Sequence, residues 1–337
     1  MSHCLYFSGY GSVDCHDGER MTPYTDFINY HLSLLADETR TGAYRRAISQ
    51  TVHPGDVVVD IGCGSGMLSF LACRAGARHV YAIEHEAVIE MAKRVAAQNG
   101  FHDRITFYRD HSFNVELPEH ADVIVTETMG TFGFEEGIIG SLTDARDRFL
   151  KQGGKLIPRS LALWLAPVEL PKFYEHVVDF WVNGCQGFDF SPVRTMTVNC
   201  FHPLKLHEGT LLGDPIRVAD VSFQETTRSE VSANLTGRAK RRGWLHGVAG
   251  WFSAELIPTL RISNGPLERA SHWGLAFFPI NRPVFVERGN RIEVEMRSKG
   301  NGECWAWNVM VNGHRFEQST EKGPMLSSSE KPNRKAC

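Results

Sequence analysis

The chain has 337 residues, of which 42% are apolar and 22% charged, and its formal net charge is −3. These values are ordinary for a globular protein with room for two domains, and they give no sign of binding to nucleic acid or a membrane surface. The eight cysteines include no C-x-x-C pair and no Cys/His group with metal-ligand spacing. We therefore expect free thiols in a reducing compartment and no metal site.

The beginning of the chain lacks the cationic segment and apolar core of a signal peptide, and there is no apolar run of about 18 residues. We expect no membrane span and a cytoplasmic location, with the nucleus as a further location in a eukaryote. From Pro23 apolar residues recur at helical spacing, and a second helix is predicted over Glu38–Gln50. Residues 1–51 are predicted to hold helices that close a ligand site.

The stretch VVVDIGCGSG, residues 57–66, predicts a buried strand, a tight turn and the start of a helix. Glycine at Gly62, Gly64 and Gly66 permits unusual backbone dihedrals and a close approach of a ligand to the helix start. The spacing differs from the dinucleotide pattern G-x-G-x-x-G, because position 67 is Met. G-x-G-x-G after Asp60 and Ile61 is typical of S-adenosylmethionine (SAM) methyltransferases.

Glu84 directly follows the next predicted strand, residues 79–83. An acidic side chain at that position suits a ribose, because one carboxylate accepts hydrogen bonds from both ribose hydroxyls. The glycine turn, Asp60 and Glu84 together predict a SAM site. The alternative is an ordinary strand-turn-helix in which Glu84 is a solvated strand end.

Strands and helices alternate up to residue 157, which predicts a doubly wound parallel sheet of the Rossmann-like α/β class. Residues 52–157 are therefore assigned to a SAM-binding domain. Its further predicted strands are 105–108, 122–126 and 153–157, and its predicted helices are 68–75, 87–99 and 134–150.

Short β-rich runs separated by Gly, Pro and Asn begin at residue 158 and predict an antiparallel β-barrel domain over 158–317. The segment Lys172–Trp181, KFYEHVVDFW, has helical spacing instead. It predicts an arm near 170–192 that packs on a second subunit. The polar residues 318–337 are predicted to be a disordered tail. The predicted barrel strands are 160–165, 215–222, 243–252, 274–278 and 291–296.

Two carboxylates are candidates for substrate binding. Glu127 follows the strand 122–126, at the sheet edge where ligands bind in such folds. Glu136 lies nine residues further on, and Glu135 is a competing choice. Carboxylates beside a sulfonium suit a cationic substrate, and a planar guanidinium with five donors fits best. Alternatively, Glu127 ends a strand, and Glu135 and Glu136 begin a solvated helix face.

Over residues 24–315 the chain resembles the protein arginine N-methyltransferase family. DIGCGSG resembles the SAM-binding motif of that family, and Glu84 its ribose-binding acid. TETMGTFGFEE resembles the double-glutamate loop, with Glu127 and Glu136 at the two glutamate positions. His31 and Arg40 resemble a cofactor clamp in which the arginine pairs with the methionine carboxylate.

The second half continues the resemblance. Ser271-His272-Trp273 resembles the Thr-His-Trp loop that lines the arginine pocket, and KFYEHVVDFW followed by GFDF resembles the dimerisation arm. There are departures. Thr128 stands where the family usually has Trp, Thr131 replaces a Tyr, and Phe113 takes the place of the acid that contacts adenine. Ser112 or the backbone is therefore expected to bind the adenine.

The resemblance implies SAM-dependent methyl transfer to a guanidino nitrogen of arginine in proteins by a homodimer. In this interpretation Asp37 and His272 form a proton relay, although Asp37 is equally well placed to cap the second helix. The predicted catalytic residues are Glu127, Glu136, His272 and Asp37. The predicted cofactor residues are His31, Arg40, Asp60, Gly62, Gly64, Gly66, Glu84 and Ser112. The predicted substrate pocket contains Tyr24, Met129 and Trp273.

Three other interpretations are open. In the first, the substrate is free L-arginine or another small guanidino compound, since Thr128 and Thr131 alter the pocket loop. In the second, the chain is a non-catalytic dimeric scaffold, but the presence of Glu127 and Glu136 argues against this. In the third, the chain is a nicotinamide dehydrogenase, which Met67 disfavours because a glycine is needed there.

Overall fold

The computed structural model describes residues 23–182, 186–204, 210–226, 230–269 and 271–323. Side chains of residues 23–26 and 301 are not included in that description. Within these ranges, no helix combines the length and apolarity needed to cross a membrane. The part of the predicted tail beyond residue 323 lies outside the described residues.

Two helices precede the first sheet, α1 over Pro23–Ala36 and α2 over Glu38–Thr51. The side chain of Asp37 caps α2, because its Oδ1 accepts the backbone N–H of Arg40 at 3.0 Å. The apolar face of α2 is buried, and the hydroxyl of Tyr44 donates to the carbonyl oxygen of Thr126 at 2.9 Å. This buried hydrogen bond fixes α2 beside the site.

A five-stranded parallel sheet follows, which confirms the predicted Rossmann-like half of the fold. Its strands are β1 (Val57–Ile61), β2 (His79–Ile83), β3 (Ile105–Tyr108), β4 (Ala121–Thr126) and β5 (Leu150–Ile157). Their order is β3-β2-β1-β4-β5. All residues of β1 are buried, as expected for a central strand covered on both faces.

Helices α3 (Met67–Ala75), α4 (Ile89–Gln98) and α5 (Ile138–Phe149) connect the strands. The prediction of a helix from residue 134 to 150 was wrong at both ends. Gly137, with φ +74°, precedes α5, and Leu150 already belongs to β5. Phe134 is fully buried against the ring of Trp305, so tertiary packing holds residues 134–137 in the preceding loop.

The second half consists of two antiparallel sheets. One has the order β7-β12-β10-β6-β8 with β11 beside β10, and the other has the order β15-β14-β13-β9. In the described residues these sheets face each other across a shared core without closing into the predicted barrel. The strands are β6 (Ser160–Val168), β7 (His202–Leu204), β8 (Ile216–Ser222), β9 (Ser232–Arg238), β10 (Gly243–Ile257), β11 (Leu260–Ser263), β12 (Leu275–Val286), β13 (Arg291–Lys299), β14 (Cys304–Val311) and β15 (His314–Ser319).

The predicted arm is helical but irregular. It begins with α6 (Pro171–Phe173) and continues as a π-helical turn over Tyr174–Val178 and a 3-10 turn over Asp179–Trp181. Tyr174 anchors its base, because this buried side chain donates to the carbonyl oxygen of Ile280 at 2.7 Å. Helix α7 (Ser191–Val198) returns the chain to the antiparallel sheets.

The prediction of disorder from residue 318 was wrong for residues 318–323. Strand β15 extends to Ser319 by pairing with β14, and a 3-10 turn covers Thr320–Lys322. The backbone N–H of Ser319 also donates to Oδ1 of Asn199 at 2.9 Å. Strand pairing satisfies the backbone here despite the polar composition.

Candidate active site

The candidate site lies at the carboxyl ends of the parallel strands, where ligands bind in open α/β sheets. The glycine turn follows β1, Glu84 follows β2, and Glu127 follows β4. Because β1 pairs directly with both β2 and β4, these three segments are neighbours at one sheet edge. Helix α2 and the loop before β12 cover the same edge.

The glycine turn has the backbone conformation that its sequence predicts. The φ angles of Gly62, Gly64 and Gly66 are +66°, +51° and +85°, in the left-handed region where glycine is favoured. A Cβ on Gly62 would lie 2.6 Å from Cγ2 of Thr128, whereas one on Gly64 would meet nothing within 4 Å. The turn is therefore packed against the glutamate loop at Gly62 and open at Gly64.

Glu84 is mostly buried and reaches over this turn. Its carboxylate accepts the backbone N–H of Gly64 at 3.1 Å and that of Glu86 at 2.9 Å. Nδ1 of His85 lies 3.3 Å from the same carboxylate, and the His85 ring stacks on His111 with centroids 4.3 Å apart. Neither histidine was predicted, since nothing in the linear pattern brings residues 85 and 111 together.

Asp60 is a completely buried carboxylate behind the turn. The hydroxyl of Ser69 donates to its Oδ2 at 2.6 Å, while Oδ1 has no hydrogen-bond partner within the described part of the chain. Burial raises the pKa of Asp60 to about 7, and the hydrogen bonds from Ser69 offset only part of that effect. An orphaned buried acceptor beside an open glycine turn fits the donor groups of a nucleoside cofactor.

Arg40 and Glu127 form a buried ion pair. Nε of Arg40 donates to Oε2 of Glu127 at 2.5 Å, Nη2 also contacts that oxygen, and Nη1 donates to the carbonyl oxygen of Leu34 at 2.9 Å. Burial lowers the pKa of Arg40, but the Glu127 carboxylate outweighs that effect and the pKa is raised. The structure thus pairs the predicted cofactor clamp with the predicted substrate carboxylate.

Asp37 and His272 are in direct contact across the two halves of the chain. Oδ2 of Asp37 accepts the backbone N–H of His272 at 3.0 Å and lies 2.9 Å from its Nδ1. Burial raises the pKa of Asp37, but hydrogen bonds from His272 and from the Arg40 backbone outweigh it and lower that pKa to about 2. The two alternative roles of Asp37, helix cap and partner of His272, coexist on its two oxygens.

The two candidate acids of the glutamate loop differ in their environment. Oε1 of Glu135 accepts the backbone N–H of Phe132 at 2.7 Å, so this side chain folds back onto its own loop. Glu136 is exposed. The structure therefore gives Glu135 a part in the loop conformation and leaves Glu136 accessible, and the assignment of Glu136 as a catalytic carboxylate stays a prediction.

Met129 and Trp273 are both buried, and their assignment to the substrate pocket stays a prediction. Met129 is 1% exposed and Trp273 6%, and Nε1 of Trp273 donates to the carbonyl oxygen of Met129 at 2.8 Å. The Trp273 ring also packs edge-on against Phe252, with centroids 5.0 Å apart. Both residues thus hold the glutamate loop against the antiparallel half.

The remaining predicted residues lie around the same edge. His31 is 9% exposed and packs edge-on against Phe27, with burial first and then the charge of Arg40 lowering its pKa. Ser112 is buried in a 3-10 turn, and the next residue, Phe113, is 55% exposed. Tyr24 lies in α1, but its side chain is outside the described part.

Two family models match this chain. Residues 160–306 match the arginine methyltransferase oligomerization subdomain, and residues 40–160 match ribosomal protein L11 methyltransferase (PrmA). The boundary between the matches coincides with the change from the parallel to the antiparallel sheets.

Known proteins are similar over most of the chain. Human protein arginine N-methyltransferase 2 is 34% identical over 284 residues, which cover 78% of this chain and 64% of the human protein. Protein arginine N-methyltransferase 1 of Saccharomyces cerevisiae is 31% identical over 290 residues, covering 80% of both chains. The chain thus spans less than two thirds of the human relative but most of the yeast one.

Solved structures share the fold. A Trypanosoma brucei PRMT1 enzyme-prozyme heterotetrameric complex with AdoHcy matches with a TM-score of 0.78 at 21% identity, over 86% of this chain and 96% of that one. Arabidopsis thaliana protein arginine methyltransferase 10 matches with a TM-score of 0.73 at 23% identity, over 87% and 99%. These likenesses extend through both halves of the molecule.

Proposed function

The chain belongs to the protein arginine N-methyltransferase family, and from that premise we propose that it transfers a methyl group from SAM to a guanidino nitrogen of arginine in proteins. One observation carries the proposal. The Glu127 carboxylate, at the ligand edge of the sheet, binds a guanidinium in this structure, namely that of Arg40. A carboxylate that accepts a guanidinium here supports the proposal that a substrate guanidinium binds to Glu127 once Arg40 has moved away.

The residues around the glycine turn support SAM as the cofactor. Glu84 offers a carboxylate to ribose hydroxyls, Gly64 leaves bare backbone open, and Asp60 presents an orphaned acceptor oxygen. When bound, SAM supplies an electrophilic methyl group. The Arg40 guanidinium is proposed to bind the carboxylate of the cofactor, and that exchange would release Glu127 for the substrate.

Glu127 and Glu136 are proposed to hold the substrate guanidinium. Two carboxylates draw its positive charge toward the nitrogens they bind and leave electron density on the nitrogen that is methylated. Positioning and matched electrostatics in a closed site account for most of the rate gain in such a mechanism. Asp37 orients His272, which is proposed to accept the proton lost by the methylated guanidinium.

We also propose that the chain forms a homodimer through the arm. Apolar side chains of the arm are exposed, with Phe180 at 51% and Phe188 at 72%, and so are Ile28 at 60% and Leu32 at 53% on α1. Two apolar surfaces that are exposed in the described part of the chain suit a reciprocal interface. Light scattering is expected to give twice the chain mass, with Phe180→Asp giving a monomer.

The function is tested by incubating the protein with labelled SAM and an Arg-Gly repeat peptide, its Lys-Gly counterpart, or free arginine, followed by mass spectrometry. Methylation of the Arg-Gly peptide alone is expected. Methylation of free arginine alone would show that the substrate is a small guanidino compound. If SAM binds and none of the three is methylated, the proposed activity is wrong.

A further inference from the structure

Asn264 joins three segments around the candidate site. It follows β11, is 4% exposed, and uses both ends of its amide. Its Oδ1 accepts the backbone N–H of Phe252 at 2.8 Å, and its Nδ2 donates to the carbonyl oxygens of Thr131 at 2.8 Å and Gly274 at 2.6 Å. A buried side chain with three hydrogen bonds to three separate segments constrains all of them.

Two of these segments carry the proposed chemistry. Thr131 lies in the glutamate loop, between Glu127 and Glu136, and Gly274 lies two residues after His272. Gly274 has φ +62°, and a Cβ there would lie 3.0 Å from the carbonyl oxygen of Leu204, so this backbone has little freedom of its own. The Asn264 amide is thus a direct link between the carboxylate side and the histidine side of the site.

A second hydrogen bond runs parallel to this link. Nε1 of Trp273 donates to the carbonyl oxygen of Met129. The next residue, Gly274, is connected to Thr131 through Asn264. The loop before β12 is therefore linked to the glutamate loop at two positions that are two residues apart. Trp273 has one donor and fixes one carbonyl. Asn264 supplies the remaining constraint, because two contacts between the loops resist a rotation that a single contact permits.

We propose that Asn264 is a positioning residue, which sets the distance between the guanidinium-binding glutamate loop and the Asp37–His272 pair. The proposal rests on the proposed function. Only a planar amide of this length places one acceptor and two donors in this arrangement. An alanine leaves two partly buried carbonyls and one buried N–H without this partner, and an aspartate directs a carboxylate at two carbonyl oxygens.

The test compares Asn264→Ala with Asn199→Ala. Asn199 is also a buried asparagine, 7% exposed, with Oδ1 accepting from the backbone of Ser319 at 2.9 Å and Nδ2 donating to the carbonyl oxygen of Thr195 at 2.8 Å. These two hydrogen bonds link α7 to β15, and neither of them reaches the glutamate loop or the loop before β12. Loss of a buried asparagine is thus common to both variants, and only Asn264→Ala alters the site.

For each variant we would measure unfolding, SAM affinity by calorimetry, and kcat and KM with the Arg-Gly peptide. Both variants are expected to be less stable and to keep the wild-type SAM affinity within about threefold. Asn264→Ala alone is expected to lower kcat by at least about thirtyfold, with faster amide hydrogen exchange in residues 128–137. Equal kcat values in Asn264→Ala and Asn199→Ala would overturn the proposal.

Asn264→Asp keeps the side-chain volume and keeps the proposal testable if the alanine variant unfolds. The aspartate is expected to lower kcat as much as the alanine, since it loses both donors. Wild-type kcat in the aspartate variant would overturn the positioning role. Failure of the proposed function is distinct, because the wild-type protein would then methylate no peptide at all.

Discussion

Arg40 and Glu127, 87 residues apart, share a buried ion pair that joins the beginning of α2 to the end of β4. Their side chains are only 12% and 6% exposed. The same carboxylate that is proposed to bind a substrate guanidinium thus has a guanidinium of the protein as its partner. Substrate binding therefore requires that Arg40 yield this position or share it.

Breaking this pair from one side is expected to cost stability. Glu127→Gln leaves the Arg40 guanidinium buried without its counter-charge, and such a loss is typically about 3–5 kcal/mol of unfolding free energy. The double variant Arg40→Met/Glu127→Gln is expected to regain most of that loss while remaining inactive. Urea unfolding measures the difference. A double variant less stable than Glu127→Gln would show that the charge of Arg40 is not the cause.

Glu135→Gln and Glu136→Gln are expected to separate the two acids of the glutamate loop. A glutamine at 135 still offers an acceptor oxygen to the N–H of Phe132, so activity should stay within about threefold, less than about 1 kcal/mol of barrier. Glu136→Gln should lower kcat by at least about a hundredfold with unchanged SAM affinity. If steady-state assays show a larger loss of kcat in Glu135→Gln than in Glu136→Gln, Glu135 is the second carboxylate that binds the substrate.

Asp60 predicts a fall in stability with rising pH. Its pKa is about 7 in the folded chain, whereas an Asp carboxyl ordinarily has a pKa of 3.8, so between about pH 4 and 7 the folded state binds more protons than the unfolded state. Over this window Asp60 lowers the unfolding free energy by up to about 1.4 kcal/mol per pH unit.

Asp60→Asn should remove that slope, which urea titrations at several pH values would detect. Asp103→Asn is the matched control, because the side chain of Asp103 is 88% exposed. Equal pH slopes in wild type and Asp60→Asn would contradict the expected titration of Asp60.

Gly62→Ala is expected to weaken SAM binding by at least about tenfold. The added Cβ would lie 2.6 Å from Cγ2 of Thr128, so the turn and the glutamate loop must separate. Gly100→Ala is the control, because Gly100 has a similar φ of +72° but nothing within 4 Å of its Cβ position. Calorimetry with SAM compares the two. If Gly62→Ala and Gly100→Ala lose SAM affinity equally, contact with Thr128 is not the cause of the loss in Gly62→Ala.

The local parts of the site were predictable from the sequence because they depend on short-range chemistry. The glycine turn, the acid after β2 and the capping role of Asp37 each follow from residues a few positions apart. The contact between Asp37 and His272 came from family resemblance. The Arg40–Glu127 pair and the Asn264 link were missed, because each depends on which distant segments the fold brings together and has no linear pattern.

The wrong predictions for residues 134–137 and 318–323 have the same origin. Residues 134–137 were predicted to be helical, yet Gly137 has φ +74° before α5 and Phe134 is buried against Trp305, so these residues lie in a loop. Residues 318–323 have the composition of a tail, yet β14 binds β15 along its length. In both places contacts between elements outweigh the local preference.

The pairing of β15 with β14 also covers a strand edge. A chain ending before His314 would turn β14 into an edge strand of alternating apolar residues, including Trp305 and Trp307, with unpaired backbone donors and acceptors. Such an edge readily recruits strands from other chains. Solubility of this protein is therefore expected to depend on its last described strand, and proteolytic trimming there should cause aggregation.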